Sequence, residues 1–315
     1  MITSSELVFR YSATRTNTAA NGGRMSKNAV ASEARQNFLP DWTLAEVTAG
    51  GTHCRKFFVH VANDDDLPLT QAALHLLGPS SAGDRVTLFA GTATDTQADI
   101  GTPTEYGAGT LQAALAAGAT VLVVVLEDAS QDIFHAAGQI YISDGNNYEY
   151  HDNVTIAKAD AIVTITLAAG DMLAQAYAAG SAVASVLSFG TIKAAIGTPA
   201  RTTAAGTLDA AKILPDAIGG INQTITLTFT SATAFTAVSD VLGSLGTGTI
   251  STDFAPTNSD FGKPYCTVEA GAWGGAWAAG EVVRFATTPA AVGFWLKGML
   301  PAGAAPAGSD QFSLR

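Results

Sequence analysis

The residue types that usually do chemistry are scattered along this chain of 315 residues. Its five histidines show neither an H-E-x-x-H motif nor another paired spacing typical of metal ligands. The sequence also lacks the G-x-S-x-G motif that positions a serine nucleophile, which removes the simplest hydrolase mechanism. The two cysteines, Cys54 and Cys266, lie far apart in the sequence, and we expect two buried thiols.

Three short polar motifs have a structural explanation beside a chemical one. The aspartates at 64–66 could bind calcium through clustered oxygens, although a solvated loop between strands explains them as well. The glycines at 243–248 lack the lysine of a phosphate-binding loop, so they predict a turn. An enzyme is supported only by Asp144, Glu149 and Asp152, which could share a cleft as general acids and bases. We therefore predict a protein without catalytic residues, cofactor or metal ion.

Large aromatic residues are concentrated near the C-terminal end, at Trp273, Trp277, Phe294 and Trp295. Aromatic faces can stack on sugars or anchor protein interfaces. Core packing is the more frequent role of such rings, because a small sandwich needs large side chains in its interior. We keep Trp273, Trp277 and Trp295 as candidate assembly or binding residues.

Charge is sparse and unevenly distributed along the chain. Charged residues make up 14% of the sequence, against about 25% in a typical soluble domain, so we expect neighbouring subunits to cover much of the surface. Residues 1–60 hold seven Lys and Arg against four Asp and Glu (+3), and residues 61–315 hold nine against twenty-three (−14). The acidic body argues against nucleic acid as the main partner. The basic segment, with Arg24 and Lys27 as candidate assembly residues, could dock on an acidic neighbour.

Strand patterns dominate the sequence and predict an all-β fold. Apolar Ile225, Leu227 and Phe229 alternate with threonines, which is the period of a half-buried strand. Two further strands, at 139–143 and 148–151, flank four residues that tolerate a tight turn. This pattern predicts a β-hairpin.

The spacing of the strands predicts two β-sandwich domains that flank a small β-barrel-like domain. Residues 1–115 would form the first sandwich, with a long basic loop in the polar stretch at 12–31, and residues 116–190 the barrel-like domain. Residues 191–220 contain proline and glycine segments typical of a linker. Residues 221–315 would form the second sandwich and end in an extended tail.

We find neither an export signal nor a membrane span in the sequence. The N-terminus lacks the basic start and apolar segment of a secretory signal. The longest apolar run, from Ala113 to Leu126, is shorter than the ~20 residues that a membrane-spanning helix needs. We therefore expect synthesis in the cytoplasm and no membrane partner.

Three stretches together resemble virion structural proteins of long-tailed, Mu-like bacteriophages and prophages. The first begins at Gly22-Gly23-Arg24-Met25-Ser26 and continues through 43–51 to Phe57-Phe58-Val59. The second is the predicted hairpin, and the third runs from 248 to 256 and is followed by Trp273 and Trp277. None of them contains a catalytic motif. The resemblance implies a non-enzymatic protein of the virion, made in the host bacterial cytoplasm, and it carries over no functional residue.

The leading hypothesis from the sequence is a tail or baseplate protein that forms symmetric rings with copies of itself and contacts other virion proteins. In this hypothesis the basic loop and the C-terminal tail order against neighbouring subunits. A head decoration protein or a head-to-tail connector is an alternative within the same class. A fibre-like module that binds a host surface glycan through Trp273, Trp277 or Trp295 is the second alternative.

Overall fold

The computed structural model describes residues 1–305 and 311–315. Strands hold 47% of the residues and helices 6%, which confirms the predicted all-β class. The single α-helix of the described residues, α1, spans Leu44–Ala49. Its start is fixed by a capping box that the sequence contains: the Thr43 hydroxyl accepts from the Glu46 amide, and the Glu46 carboxylate accepts from the Thr43 amide. No helix within the described ranges is long and apolar enough to cross a membrane.

The described residues form twenty-five strands. The first thirteen are β1 (Leu7–Thr14), β2 (Gly22–Ala29), β3 (Gly51–Val61), β4 (Leu69–Leu74), β5 (Arg85–Ala90), β6 (Ala108–Leu111), β7 (Val121–Val125), β8 (Gln139–Ser143), β9 (Tyr148–His151), β10 (Thr155–Ala159), β11 (Ile162–Thr166), β12 (Ala182–Ile192) and β13 (Ala195–Ile196). The others are β14 (Ala200–Thr202), β15 (Ala205–Leu208), β16 (Ile213–Pro215), β17 (Gln223–Phe229), β18 (Ala234–Ser239), β19 (Gly243–Thr249), β20 (Thr257–Asn258), β21 (Lys263–Pro264), β22 (Cys266–Val268), β23 (Trp273–Ala276), β24 (Val282–Thr288) and β25 (Ala291–Leu300).

The first sheet is antiparallel and takes one of its inner strands from the far end of the chain. Its order is β2-β1-β3-β25-β5. All ten residues of β25 pair with β3, from Ala291 opposite His60 to Leu300 opposite Gly51, and six of them also pair with β5. The predicted division at residue 221 placed this strand in the C-terminal sandwich. That assignment is wrong for β25, because an apolar strand pattern reports burial and not the identity of the paired strand.

The polar stretch at 12–31 is not the long loop that the sequence predicted. Most of it belongs to β1 and β2, which pair as a hairpin with irregular register at Ser12. β2 lies at the edge of its sheet and most of its residues are half-buried or exposed, so it carries no alternating apolar pattern. Because neither a polar edge strand nor a loop shows alternating apolar residues, a single sequence does not distinguish them.

The second sheet curls around its own core without closing. Its order is β10-β11-β7-β6-β12-β8-β9, and β4 also pairs with β12. Buried side chains from β7, β8, β11 and β12 form one apolar cluster with those of the neighbouring loops. The end strands β9 and β10 are not paired with each other, so the described residues form no closed barrel. The predicted hairpin of β8 and β9 is confirmed, with Ser143 opposite Tyr148 and Gly145 at a positive φ in the turn.

The first and second sheets pack on each other face to face. One buried apolar cluster contains Phe57, Leu88 and Phe294 from the first sheet. The same cluster contains Leu74 and Val186 from the second sheet. The first sandwich therefore takes its second layer from strands on both sides of the predicted boundary at residue 115. Burial of these large side chains is the main stabilising contribution at this interface.

The predicted linker at 191–220 contributes strands to the third sheet and to its cover. The third sheet has the order β13-β24-β17-β18-β19, with β14 also paired to β24. β15 pairs with β23 and β16 with β22, and these small sheets cover the apolar face of β17 and β24. The alternation predicted for β17 is confirmed, because Ile225, Leu227 and Phe229 are buried while the threonines between them are half-exposed. Short strands with few apolar residues resemble a linker in sequence, which is why the linker prediction is wrong.

The described end of the C-terminal tail returns to its own chain. Residues 306–308 of the predicted extended tail lie outside the described residues. Leu314 forms an antiparallel bridge with Leu76, and the backbone of Arg315 exchanges two hydrogen bonds with that of His75, each 3.0 Å long. Phe312 packs beside Phe38, with ring centroids 5.8 Å apart. These contacts anchor the described tail residues without a second subunit.

The position of β25 predicts a large loss of stability when its core side chain is truncated. Phe294 is fully buried between Phe9 and Phe57, so Phe294→Ala should lower the free energy of unfolding by about 3–5 kcal/mol in urea titrations. Met172→Ala is the matched control, because that side chain is 53% exposed and should change stability by less than about 0.5 kcal/mol. A loss below about 1 kcal/mol for Phe294→Ala would contradict the placement of β25 in this core.

Candidate functional site

The predicted tryptophan sites lie in two different cores. Trp277 is 4% exposed and stacks on Phe229 at 4.4 Å with an interplanar angle of 7°. Trp273 is half-buried and packs edge-on against both rings. These indoles fill the space between the third sheet and its cover, so the face of Trp277 is not available to a sugar.

Trp295 belongs to the first sheet and takes part in a buried polar cluster. It is fully buried, and its indole N–H donates to Asp95 Oδ2 at 2.8 Å. Asp95 Oδ1 lies 2.5 Å from the amine of Lys56, which also donates to the carbonyl of Gly23 at 2.7 Å. Burial lowers the pKa of Lys56, and the Asp95 carboxylate opposes that shift. A Cβ at Gly22 would lie 2.9 Å from the Trp295 ring, so glycine is required there.

Arg24 and Lys27 both lie on β2. Arg24 is half-buried and Lys27 is exposed. The Lys27 amine pairs with Asp260 at 2.9 Å, which joins β2 to the loop between β20 and β21 of the same chain. An exposed pair of this kind contributes less than about 1 kcal/mol. The structure therefore gives Lys27 a partner within its own chain.

A buried histidine connects the first sheet to the C-terminal part of the chain. His60 Nδ1 accepts from Arg10 Nε at 2.7 Å, and His60 Nε2 bonds to the carbonyl of Ala217 at 2.8 Å. Since Nδ1 is the acceptor, Nε2 carries the proton and donates. Arg10 in turn lies over the ring of Phe261, 4.8 Å from its centroid. Burial lowers the pKa of His60 to about 4, so the neutral form holds this junction together.

The aspartates at 64–66 belong to the same junction. Asp64 pairs with Lys263 at 2.7 Å, and Asp66 Oδ1 accepts from the amide of Ala217 at 2.6 Å. Burial raises the pKa of Asp66. Two of the three aspartates thus contact residues beyond 210. Within residues 1–305 and 311–315, no group of three or more His, Cys, Asp and Glu side chains is placed to hold a metal ion.

The acidic residues considered for an enzyme each bind a different part of the backbone or a different side chain. Glu149 accepts from the amides of residues 174 and 175, both at 2.8 Å, and from the Tyr177 hydroxyl at 3.0 Å. Asp144 accepts from amides in its own turn. Asp152 accepts from the Gln139 side chain at 2.8 Å. These contacts fix the hairpin and an adjacent loop.

The open edges of the sheets are the surfaces best suited to assembly. β10 pairs with β11 alone among the described strands, in unbroken register, and four of its five residues are exposed. β19 ends the third sheet in the same way, which corrects the turn predicted at 243–248. β19 has a register shift and positive φ at Gly243 and Gly246, features that hinder pairing of an edge with another strand. β10 lacks both features and is the better docking edge.

Two exposed aromatic residues are absent from the candidate sites predicted from the sequence. Tyr148 and Tyr150 are 50% and 40% exposed. Their spacing of two residues in a predicted strand places both side chains on one face, so the sequence did contain the signal. No protein-family model, curated protein or solved structure matches this chain.

The buried neutral His60 predicts a pH-dependent stability. The pKa of His60 is lower in the folded protein than its ordinary value of 6.5. The contribution of neutral His60 to the free energy of unfolding is therefore complete above pH 6.5 and is lost as pH falls to about 4. Wild-type protein should lose up to about 3 kcal/mol more than His60→Gln over this window, measured by urea unfolding at several pH values. Equal losses in the two proteins would refute the contribution of His60.

Proposed function

We propose that this chain is a non-enzymatic structural protein that assembles with copies of itself by pairing strands at β10. The regular, exposed edge of β10 carries this proposal. An uncovered antiparallel edge presents backbone N–H and C=O groups that another strand can pair with. A second copy supplies such strands in a fixed orientation.

The single lysine of β10 does not protect that edge. Lysines commonly prevent edge pairing by placing a charge over the open backbone groups. Here the Lys158 amine turns back to its own chain and donates to the carbonyls of Ala129 and Gln131, at 2.7 and 2.5 Å. The other four residues of β10 are uncharged. The low overall charge of 14% also favours contact between copies.

The symmetry of the assembly depends on which edge β10 meets. If β10 pairs with a different edge of the next copy, the contact can repeat around a closed ring, whereas pairing with itself gives a two-fold dimer. We propose the ring, placed in the tail or baseplate of a Mu-like phage particle. The resemblance of the three stretches supports this placement. A head decoration protein or head-to-tail connector is the alternative that the same resemblance allows.

A charge introduced on the docking edge should disrupt the assembly. Wild-type protein is expected to sediment as an oligomer of defined size, and Ala157→Lys on β10 should shift it towards the monomer at equal concentration. Thr247→Lys on the bulged edge strand β19 is the matched control and should leave the oligomer intact. A wild-type monomer at all concentrations, or an oligomer unaffected by Ala157→Lys, would contradict the proposal.

The position in the particle can be tested on phage directly. Gold-labelled antibody against this chain should bind purified virions at the tail or baseplate in electron micrographs. Label on the head or at the neck would favour the head decoration or connector alternative. Particles that contain no copy of the chain would end the virion proposal.

A further inference from the structure

A cleft of about 690 Å³ lies beside the turn of the β8–β9 hairpin. One wall is the hairpin itself, with the side chains of Tyr141 and Tyr148. Residues 178–182, Leu77 and Arg315 line the rest of the cleft. None of the residues that line the cleft belongs to the proposed assembly edge β10.

The aromatic wall is held in position by contacts beneath it. Tyr148 and Tyr150 are exposed, and buried Tyr141 packs under both, with centroid distances of 6.1 and 5.2 Å. The Tyr150 hydroxyl bonds to His75 Nε2 at 2.9 Å. The Arg315 guanidinium lies over the Tyr148 ring, 4.4 Å from its centroid. Because the rings are supported, little conformational entropy is lost when a ligand stacks on them.

The rest of the cleft offers hydrogen-bonding groups and open space. Asp144 is exposed, and backbone amides at 146 and 147 hold its carboxylate in place. The exposed side chain of Asn146 stands next to it. Residues 178–182 contribute only alanine, glycine and serine to the lining, so among its described residues Arg315 is the one large side chain that lies over the Tyr148 ring.

We propose that this cleft binds a neutral oligosaccharide. The flat C–H face of a pyranose can pack on the part of the Tyr148 ring that Arg315 leaves exposed, and its neighbouring hydroxyls can bond to a carboxylate, an amide and a guanidinium. The side chains that line the cleft include one cation, Arg315, and one anion, Asp144. The lining therefore favours neither an anionic nor a cationic ligand. The net charge of −11 repels polyanionic saccharides. Polar groups at the turn match a ligand with many hydroxyls better than they match an apolar peptide.

The proposal is tested by binding measurements with a defined set of probes. Neutral hexose and N-acetylhexosamine oligosaccharides, matched uronic-acid oligosaccharides and a proline-rich peptide are titrated against the full chain by ligand-observed NMR and calorimetry. A neutral oligosaccharide should bind the wild type. Tyr148→Ala should weaken that binding about tenfold through loss of stacking, and Asn146→Ala should weaken it by about threefold.

Controls separate stacking from a general effect of mutation. Tyr148→Phe keeps the ring and should retain affinity within about threefold, and Leu242→Ala changes an equally exposed side chain in the third sheet and should not change affinity. Circular dichroism verifies that each variant is folded. The proposal is overturned if no neutral oligosaccharide binds, if Tyr148→Ala binds as the wild type does, or if the acidic probe or the peptide binds more tightly. None of these outcomes depends on the oligomeric state, so the assembly proposal is tested separately.

Discussion

The structure depends on one strand pairing, that of β25 between β3 and β5. This pairing places residue 300 opposite residue 51, so the first sheet combines strands from the N-terminal part of the chain with a strand from its C-terminal part. The sheet cannot be completed until nearly all of the sequence is present, so its formation closes a very long loop, which is a slow kind of contact to form. Trp295, Asp95 and Lys56 then add a buried hydrogen-bonded cluster across β25 and β3. Removing the Asp95 side chain is costly because the Trp295 indole N–H and the Lys56 amine then lose their carboxylate partner.

The same long-range closure fixes the other sheets. The second sheet packs on the first through the apolar layer around Phe57 and Phe294, and the C-terminal part is joined to β3 by the hydrogen bond between His60 and Ala217. Asp66 bonds to that same residue from the other side. The exposed ion pairs at this junction, Lys27 with Asp260 and Lys263 with Asp64, add little to the free energy of unfolding. Their main effect is to favour one orientation of the C-terminal part relative to the first sheet. The position of each open edge is thus set by buried contacts rather than by surface charge.

Aromatic residues have two distinct roles in this protein. Trp277 and Trp295 are buried, where their large area gives the most stabilisation, and Tyr148, which has a polar end, is exposed at the cleft. The second sheet carries both proposed interaction surfaces, with β10 at one end of its strand order and the β8–β9 hairpin at the other. No residue of β10 lines the cleft. If both proposals hold, each copy in the assembly presents a saccharide-binding face.

The sequence by itself determined the all-β class, the β8–β9 hairpin and the strand alternation of β17, because these depend on local turn chemistry and on a period of two. It also indicated that charge would be sparse. Only the tertiary structure decided that β25 joins the first sheet, that the supposed linker forms strands and that the supposed basic loop is an edge strand, since one sequence does not identify the partner of a strand. Burial of Trp277 and Trp295 and exposure of Tyr148 were decided in the same way. Whether a ring lies inside or outside depends on which sheet covers it, and that choice is made by contacts between residues far apart in the chain.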